Sequence, residues 1–434
     1  MTSDERNDFL LVRAGRLLDP ARDIDRPGCL LLRGGRFEAV LGDGAPLPSG
    51  AAEVDARRFV VAPGFVDIHV HFRDPGPGTA EDVGSGGRAA AAGGFTTVCC
   101  MANTSPVNDS PEITRELVRK SARTSPVEVR PIAAVTHGLR GETLTDFRAL
   151  REAGAVALSD DGRPVLNAEI MAEALRRSRD EGLVVIDHAE DTCLSCGGAI
   201  HEGEVARSLG VGGISGESET AMVRRDAGLA AETKGSLHVA HVSVAGAFEA
   251  IRAAKRSGAR VTAEVTPHHL TLDVSSLASG DPNFKMNPPL RTTADVEAAI
   301  ESLRDGTVDA IATDHAPHPA EEKAKGLARA PFGIVGLETA FALLHTELVG
   351  GRGAIDLPRL VRLLTAGPAS VLGLERGAFL PGRPADFVLL DTDAAWTVDP
   401  SRFRSKSRNT PWSGARLRGA IAGTWRSGRR VHPD

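Results

Sequence analysis

The stretch Gly64–Gly76 reads GFVDIHVHFRDPG. An apolar run is broken by two histidines one residue apart, His69 and His71, and Arg73 and Asp74 follow at once. In a strand, residues two apart share a face with their Cα atoms about 6.5–7 Å apart, so both imidazoles can reach one metal ion. On a helix the same spacing sends them to nearly opposite sides. A lone buried histidine is ordinarily a satisfied core residue, but two on one strand face point to a ligand pair.

Seven further β-branched runs follow this one. They are FTTVCCMA, VEVRPIAAVT, GAVALS, LVVIDHA, SLHVAHVS, RVTAEVTP and VDAIATDHA, and the first, taken whole, is FVVAPGFVDIHVHF. Each is short enough for a buried strand. Amphipathic segments such as SPEITRELVRKSA, NAEIMAEALRRSRDEG and VAGAFEAIRAAKRSG lie between them, with helix start signals at Ser-Pro and Asn and stops at Gly. Eight strand-helix units in about 260 residues predict a (β/α)8 TIM-type barrel. No G-x-G-x-x-G follows the first strand, as a dinucleotide-binding doubly wound sheet would require.

The two ends read differently, as short strands punctuated by RGG, GDG and PSG near the start and as ADFVLLDTDAAWTVDP and GAIAGTWRSGRRV near the finish. They predict a small flanking β-sandwich domain built from both termini. The expected limits are 1–62 and 375–434 for its two parts, with the barrel over 63–374.

Bulk properties narrow the function classes. The chain has 434 residues, 41% hydrophobic and 25% charged, the balance of an ordinary globular protein. A net charge of -6 argues against nucleic acid or an anionic membrane surface as partner. No apolar run reaches the roughly 18 residues of a membrane span. The polar start MTSDERNDFL lacks the features of a secretory signal, so a cytoplasmic place is expected. Five cysteines make no disulfide framework; Cys193 and Cys196 form a lone CLSC, which we read as chance, and Cys99 and Cys100 as buried.

A barrel builds its site where the strands finish. The fourth run ends in SDDG, the fifth in DHAED, the sixth in HVAHVS and the eighth in TDHAPH, each supplying His or Asp. Nitrogen and oxygen ligands without thiolate favour zinc, with manganese, cobalt and iron as alternatives, and a catalytic rather than structural site.

DIHVHFRDP and ATDHAPHPAEEK resemble the two signatures of the dihydroorotases, within the amidohydrolase superfamily. GFTTVCCMANTSPV, TAEVTPHHL, KMNPPLR and APFGIVGLETAF resemble the type I branch of that family, so the likeness covers nearly the whole chain. It implies two zinc ions per subunit. His69 and His71, with Asp314, would bind the more buried ion, and His188 and His241 the second. Asp161 would bridge them, with its neighbour Asp160 as rival. His71, Arg73, Asn103, Asn287, His318, Phe332 and Gly333 would contact the substrate, the arginine and the two asparagines holding its carboxylate. His137, His201, His268, His269 and His345 are read as structural, with His268 and His269 placed to support the site.

The implied reaction is the reversible cyclisation of N-carbamoyl-L-aspartate to (S)-dihydroorotate and water in pyrimidine (UMP) biosynthesis. Water activated by the metals attacks the ring carbonyl, and Asp314 carries the proton as general acid and base. Hydantoinases and dihydropyrimidinases bridge their metals with a carboxylated lysine, yet no lysine occurs between Lys120 and Lys234. Another cyclic amidase is therefore the second reading. A non-catalytic scaffold for aspartate transcarbamoylase is the third, opposed by the presence of all six ligands. A homodimer and a complex with the transcarbamoylase stay open as partners. HPAEEKAKGLARAPFGIVG, after the eighth run, either folds over the substrate or is a surface loop without a role.

Overall fold

At Gly64 the chain passes from one sheet into another. A Cβ there would lie 2.2 Å from Thr96 Oγ1, so only glycine fits the crossing. The computed structural model describes residues 9–46, 48 and 50–433, so the start of the chain up to Asp8, used above against a secretory signal, lies outside the described residues.

Before Gly64 run β1 (Phe9–Asp19), β2 (Ile24–Arg33), β3 (Arg36–Leu41) and β4 (Ala52–Pro63). The barrel strands follow: β5 (Phe65–Val70), β6 (Phe95–Cys100), β7 (Glu128–Ala133), β8 (Ala157–Leu158) and β9 (Val185–Asp187). After a short pair, β10 (Ile200–His201) and β11 (Gly213–Ile214), the barrel continues with β12 (Leu237–Val239), β13 (Val261–Val265) and β14 (Ala310–Ile311). The chain finishes in β15 (Phe387–Thr397), β16 (Arg416–Arg426) and β17 (Arg429–His432). The run FVVAPGFVDIHVHF, expected as one strand, is thus two. Phe59–Pro63 closes β4, and only Phe65–Val70 is barrel wall. The apolar run is unbroken because both halves are buried; only the strand beside each differs.

The eight barrel strands pair in parallel in the order β14-β13-β12-β9-β8-β7-β6-β5. The ring closes through a parallel bridge between Val70 and His315 and a 2.8 Å hydrogen bond from His71 N to His315 O. The buried Asp67 carboxylate reinforces this seam, accepting from Thr313 Oγ1 at 2.6 Å and from the Thr313 and His69 backbone N–H groups. Neighbouring strand residues belong to different packing layers. Val98, Ala133, Leu158, Val185 and Ile311 pack against helix side chains such as Leu117, Leu150, Leu175 and Ile300, whereas Cys99, Ile132, Ala157, Ile186 and Ala310 form a second, separate cluster.

Two helices start on the expected capping residues. Pro111–Thr124 is capped by Ser110, whose side chain accepts from Ile113 N, and Ala168–Asp180 by Asn167, which accepts from Glu169 and Ile170 N. Both chain ends build a single seven-stranded sheet, in the order β17-β16-β15-β4-β1-β2-β3. Cys99 and Cys100 are buried, and Cys193 and Cys196 are exposed free thiols. No described helix is long and apolar enough to cross a membrane.

Candidate metal centre

The C-terminal strand ends converge. His69 sits on β5 and His71 one residue past it, their ring centroids 5.3 Å apart. The segment after β8 brings Asp161, the residue after β9 is His188, His241 comes two residues past β12, and Asp314 three past β14. Asp161 Oδ1 lies 3.5 Å from His69 Nε2, 3.6 Å from His188 Nδ1 and 3.7 Å from His241 Nε2, and its Oδ2 lies 3.5 Å from His71 Nε2. Asp314 Oδ1 is 3.1 Å from His71 Nε2 and 3.7 Å from His69 Nε2. Asp160 points elsewhere. Its carboxylate accepts from Val135 N at 2.8 Å, from Thr136 N at 3.0 Å and from the Thr136 hydroxyl, which anchors β8 to the end of β7.

Two residue sets could each hold an ion: His69, His71 and Asp161, and Asp161, His188 and His241, the ligand atoms of each set lying within 4.8 Å of one another. The donor chemistry fits a metal. Asp161 Oδ1 and His69 Nε2 are buried without a hydrogen-bond partner among the described residues, a costly state unless something is bound. His188 Nδ1 and His241 Nε2 lie 2.9 Å apart, and two ring nitrogens that close need a proton or a cation between them. The far ring nitrogens are held so that the near ones point inward: His69 Nδ1 by Glu264 Oε1 at 2.7 Å, His71 Nδ1 by Asn103 Oδ1 at 2.9 Å, and His188 Nε2 by Glu190 Oε2 at 3.0 Å.

Backbone strain collects here as well. Arg73 (φ 55), His241 (φ 33) and Asp314 (φ 48) all occupy the left-handed region that non-glycine residues avoid. Burial pushes the Asp314 carboxyl up, but the hydrogen bond to His71 and the charges of His69, His71 and His241 outweigh it and hold the group below the usual carboxylate range.

The expected substrate residues ring this cluster. Arg73 has no carboxylate within ion-pair distance among the described residues, and its Nη2 lies 3.4 Å from His318 Nε2. His318 Nε2 sits 2.7 Å from Phe332 O, and burial together with the Arg73 charge pushes its pKa down to about 3, so the ring stays neutral. Gly333 has φ 118, and a Cβ on it would meet Ala316 Cβ at 2.5 Å. The asparagines are partly committed. Asn103 Nδ2 donates to Asp161 Oδ2 at 3.1 Å, and Asn287 Nδ2 to Glu190 Oε2 at 2.9 Å. The loop after β14 contains a short helix at Ala320–Lys323.

Of the histidines set aside, His137 faces Asp109, His201 meets Arg291 and His345 bonds Arg418 O. His269 is fixed between Thr266 Oγ1 and Pro288 O, while His268 Nε2 is buried with no partner among the described residues. Sequence reasoning missed Glu264, Glu190 and Asn409. Glu264 bonds His238 Nε2 at 3.2 Å as well as His69, and a buried Glu inside the apolar TAEV run was the available signal. Asn409 accepts from His318 N and donates to Ala316 O and Gly333 O, and no local pattern marks it.

A family profile described as dihydro-orotase-like matches residues 58–246, and an amidohydrolase family profile matches residues 216–432. The chain is 49% identical over 430 residues to a protein named dihydroorotase from Anaeromyxobacter dehalogenans (strain 2CP-1 / ATCC BAA-258), covering 99% of each. It is 45% identical over 423 residues to one of the same name from Geobacter metallireducens, covering 98% of this chain and 99% of that one. Among solved structures it resembles the L-hydantoinase (dihydropyrimidinase) from Arthrobacter aurescens, with TM-score 0.87 and 26% identity over 97% of this chain and 95% of that one. The dihydropyrimidinase from Brevibacillus agri NCHU1002, at 21% identity and TM-score 0.84 over 97% of this chain and 94% of that one, shares the fold.

Proposed function

The chain belongs to the dihydroorotase family, and from that premise we propose that it interconverts N-carbamoyl-L-aspartate and (S)-dihydroorotate, using two zinc ions held by His69, His71, Asp161, His188, His241 and Asp314. The observation that carries this reading is the single Asp161 carboxylate set between two histidine pairs, with one oxygen buried and unpartnered among the described residues. Divalent ions bound there would make water acidic, bringing its pKa from 15.7 to about 7, and would polarise the ring carbonyl.

The protein side chains do the rest. Asp314, beside His71 and in a strained backbone state, takes the proton from the attacking water and delivers it to the leaving ring nitrogen; in the biosynthetic direction it returns it. Arg73, free of any protein carboxylate among the described residues, grips the substrate carboxylate with paired N–H groups. The Asn103 amide links His71 to Asp161 and keeps both in register. Asn287, its nitrogen given to Glu190, keeps its oxygen to accept a substrate N–H. Neutral His318 and the Phe332–Gly333 strip form the wall behind the carboxylate.

A lysine-bridged cyclic amidase for neutral rings fits less well. The bridging position holds Asp161, and Arg73 would face no anion. The deciding experiment measures metal content together with dihydroorotate hydrolysis, before and after chelation and after adding zinc back. Full zinc occupancy without turnover would overturn the reading.

A further inference from the structure

Two lysines lie beneath the strip that lines the substrate side of the mouth. Lys285 is 3% exposed and Lys323 is 5% exposed. Lys323 Nζ donates to Lys285 O at 3.3 Å, Pro331 O at 3.1 Å and Gly333 O at 3.0 Å. Lys285 Nζ donates to Leu327 O at 2.7 Å and Ala328 O at 3.3 Å, and stands 4.5 Å from the centroid of the Phe332 ring. Gly333 N donates back to Lys285 O at 3.0 Å. Each of these partners is a carbonyl or a ring face, and among the described residues neither ammonium has a carboxylate within ion-pair distance.

Carbonyls alone would be better served by neutral donors, since taking an ammonium out of water without a counter-charge is costly. Burial and then the Lys285 charge push the Lys323 pKa down to about 7, against the opposing charge of Asp281, and burial alone lowers that of Lys285. The Lys323 charge also reaches His318, which touches Phe332 O and neighbours Arg73. The positive charge of the pair is therefore only partly offset, and an arriving anion favours the protonated form of both lysines.

We propose that Lys285 and Lys323 form a buried cationic layer behind the Phe332–Gly333 strip that makes the mouth selective for anionic over neutral ring amides. The layer acts with Arg73, which makes the direct contact, and it ties the loop 320–333 to the segment that carries Asn287. This inference rests on the function proposed above. Both lysines are positioning and field-setting groups and touch no reacting atom.

The test compares dihydroorotate with its methyl ester, which keeps the ring and loses the charge. Below about pH 7, where Lys323 carries its proton, Lys323→Met should lower the ratio of kcat/KM for the acid to that for the ester by about tenfold, the effect of removing one charge roughly 10 Å away at an effective dielectric near 20. Lys323→Arg should restore most of the ratio. Mere loosening of the loop would depress both substrates alike, and an unchanged ratio would overturn the proposal. If Lys323→Met fails to fold, Lys285→Met is read in the same way. A wild-type protein inactive on dihydroorotate would instead remove the underlying function.

Discussion

His69 Nδ1 lies 2.7 Å from Glu264 Oε1, and neither side chain is exposed to solvent. The same carboxylate holds His238 through its other oxygen and accepts from His241 N at 3.3 Å, so one residue of β13 orients groups arriving from β5 and β12. Such a partner fixes the ring and raises its basicity as a ligand. Glu264→Gln should weaken metal binding by about 10- to 100-fold, read by titration against a competing chelator. Unaltered affinity would leave Glu264 with a packing role only.

Asp314 is assigned the proton transfer. Asp314→Asn keeps the side-chain shape and leaves the other five ligands in place, so circular dichroism and bound metal should stay near those of the wild-type protein. Turnover should fall by at least about 100-fold, the lower range for loss of a positioned general acid and base. Substantial residual kcat would assign the proton to another group.

Arg73 is argued to bind charge through its planar fork. Arg73→Lys keeps the charge and removes the paired geometry. Hydrogen bonds to a charged group are worth roughly 1.5–3 kcal/mol, so KM for dihydroorotate should rise by about tenfold or more. A KM that does not move would place the carboxylate elsewhere in the pocket.

Much of this centre was legible before the fold was known, and the reason is chemical. His and Asp at the end of a β-branched run are expensive to bury, so each one stands out against its neighbours. Glu264 escaped because it lies inside a strand that otherwise reads as wall, and its partners His69 and His238 are distant in sequence. Asn409 escaped because its contacts with His318, Ala316 and Gly333 lie 91, 93 and 76 residues away in sequence. Lys285 and Lys323 escaped as well, since nothing local shows that either will be buried. The division at Gly64 was hidden for the opposite reason: the apolar pattern is the same on both sides, and only pairing in space separates β4 from β5.

Glu338 gives a prediction in pH. Burial raises its carboxyl to about 7 against the backbone N–H bonds it accepts from Arg404 and Ser405. The folded chain therefore holds a proton that the unfolded chain releases near pH 4.5, so this group's contribution is fully present below about pH 4.5 and is lost as pH rises to about 7. Glu338→Gln removes the titration and keeps an acceptor. Relative to wild type, the variant should gain stability from pH 5 to pH 8 by at most about 3 kcal/mol, measured by denaturant unfolding at both values. Parallel pH profiles would show that Glu338 does not titrate in this window.

The sheet that joins the two ends also sets a timetable for biosynthesis. Strand β4 pairs with β15 through Pro63 and Phe387, and 324 residues separate the two. A ribosome adding about 5–20 residues per second takes roughly 16–65 s to bridge that interval. Throughout it, Val60 and Val61 on β4 present an unsatisfied edge next to the nascent barrel, the kind of surface that invites pairing with another chain. The emergence of Phe387–Leu390 ends the exposure, which makes this late strand the closing latch of the newborn protein.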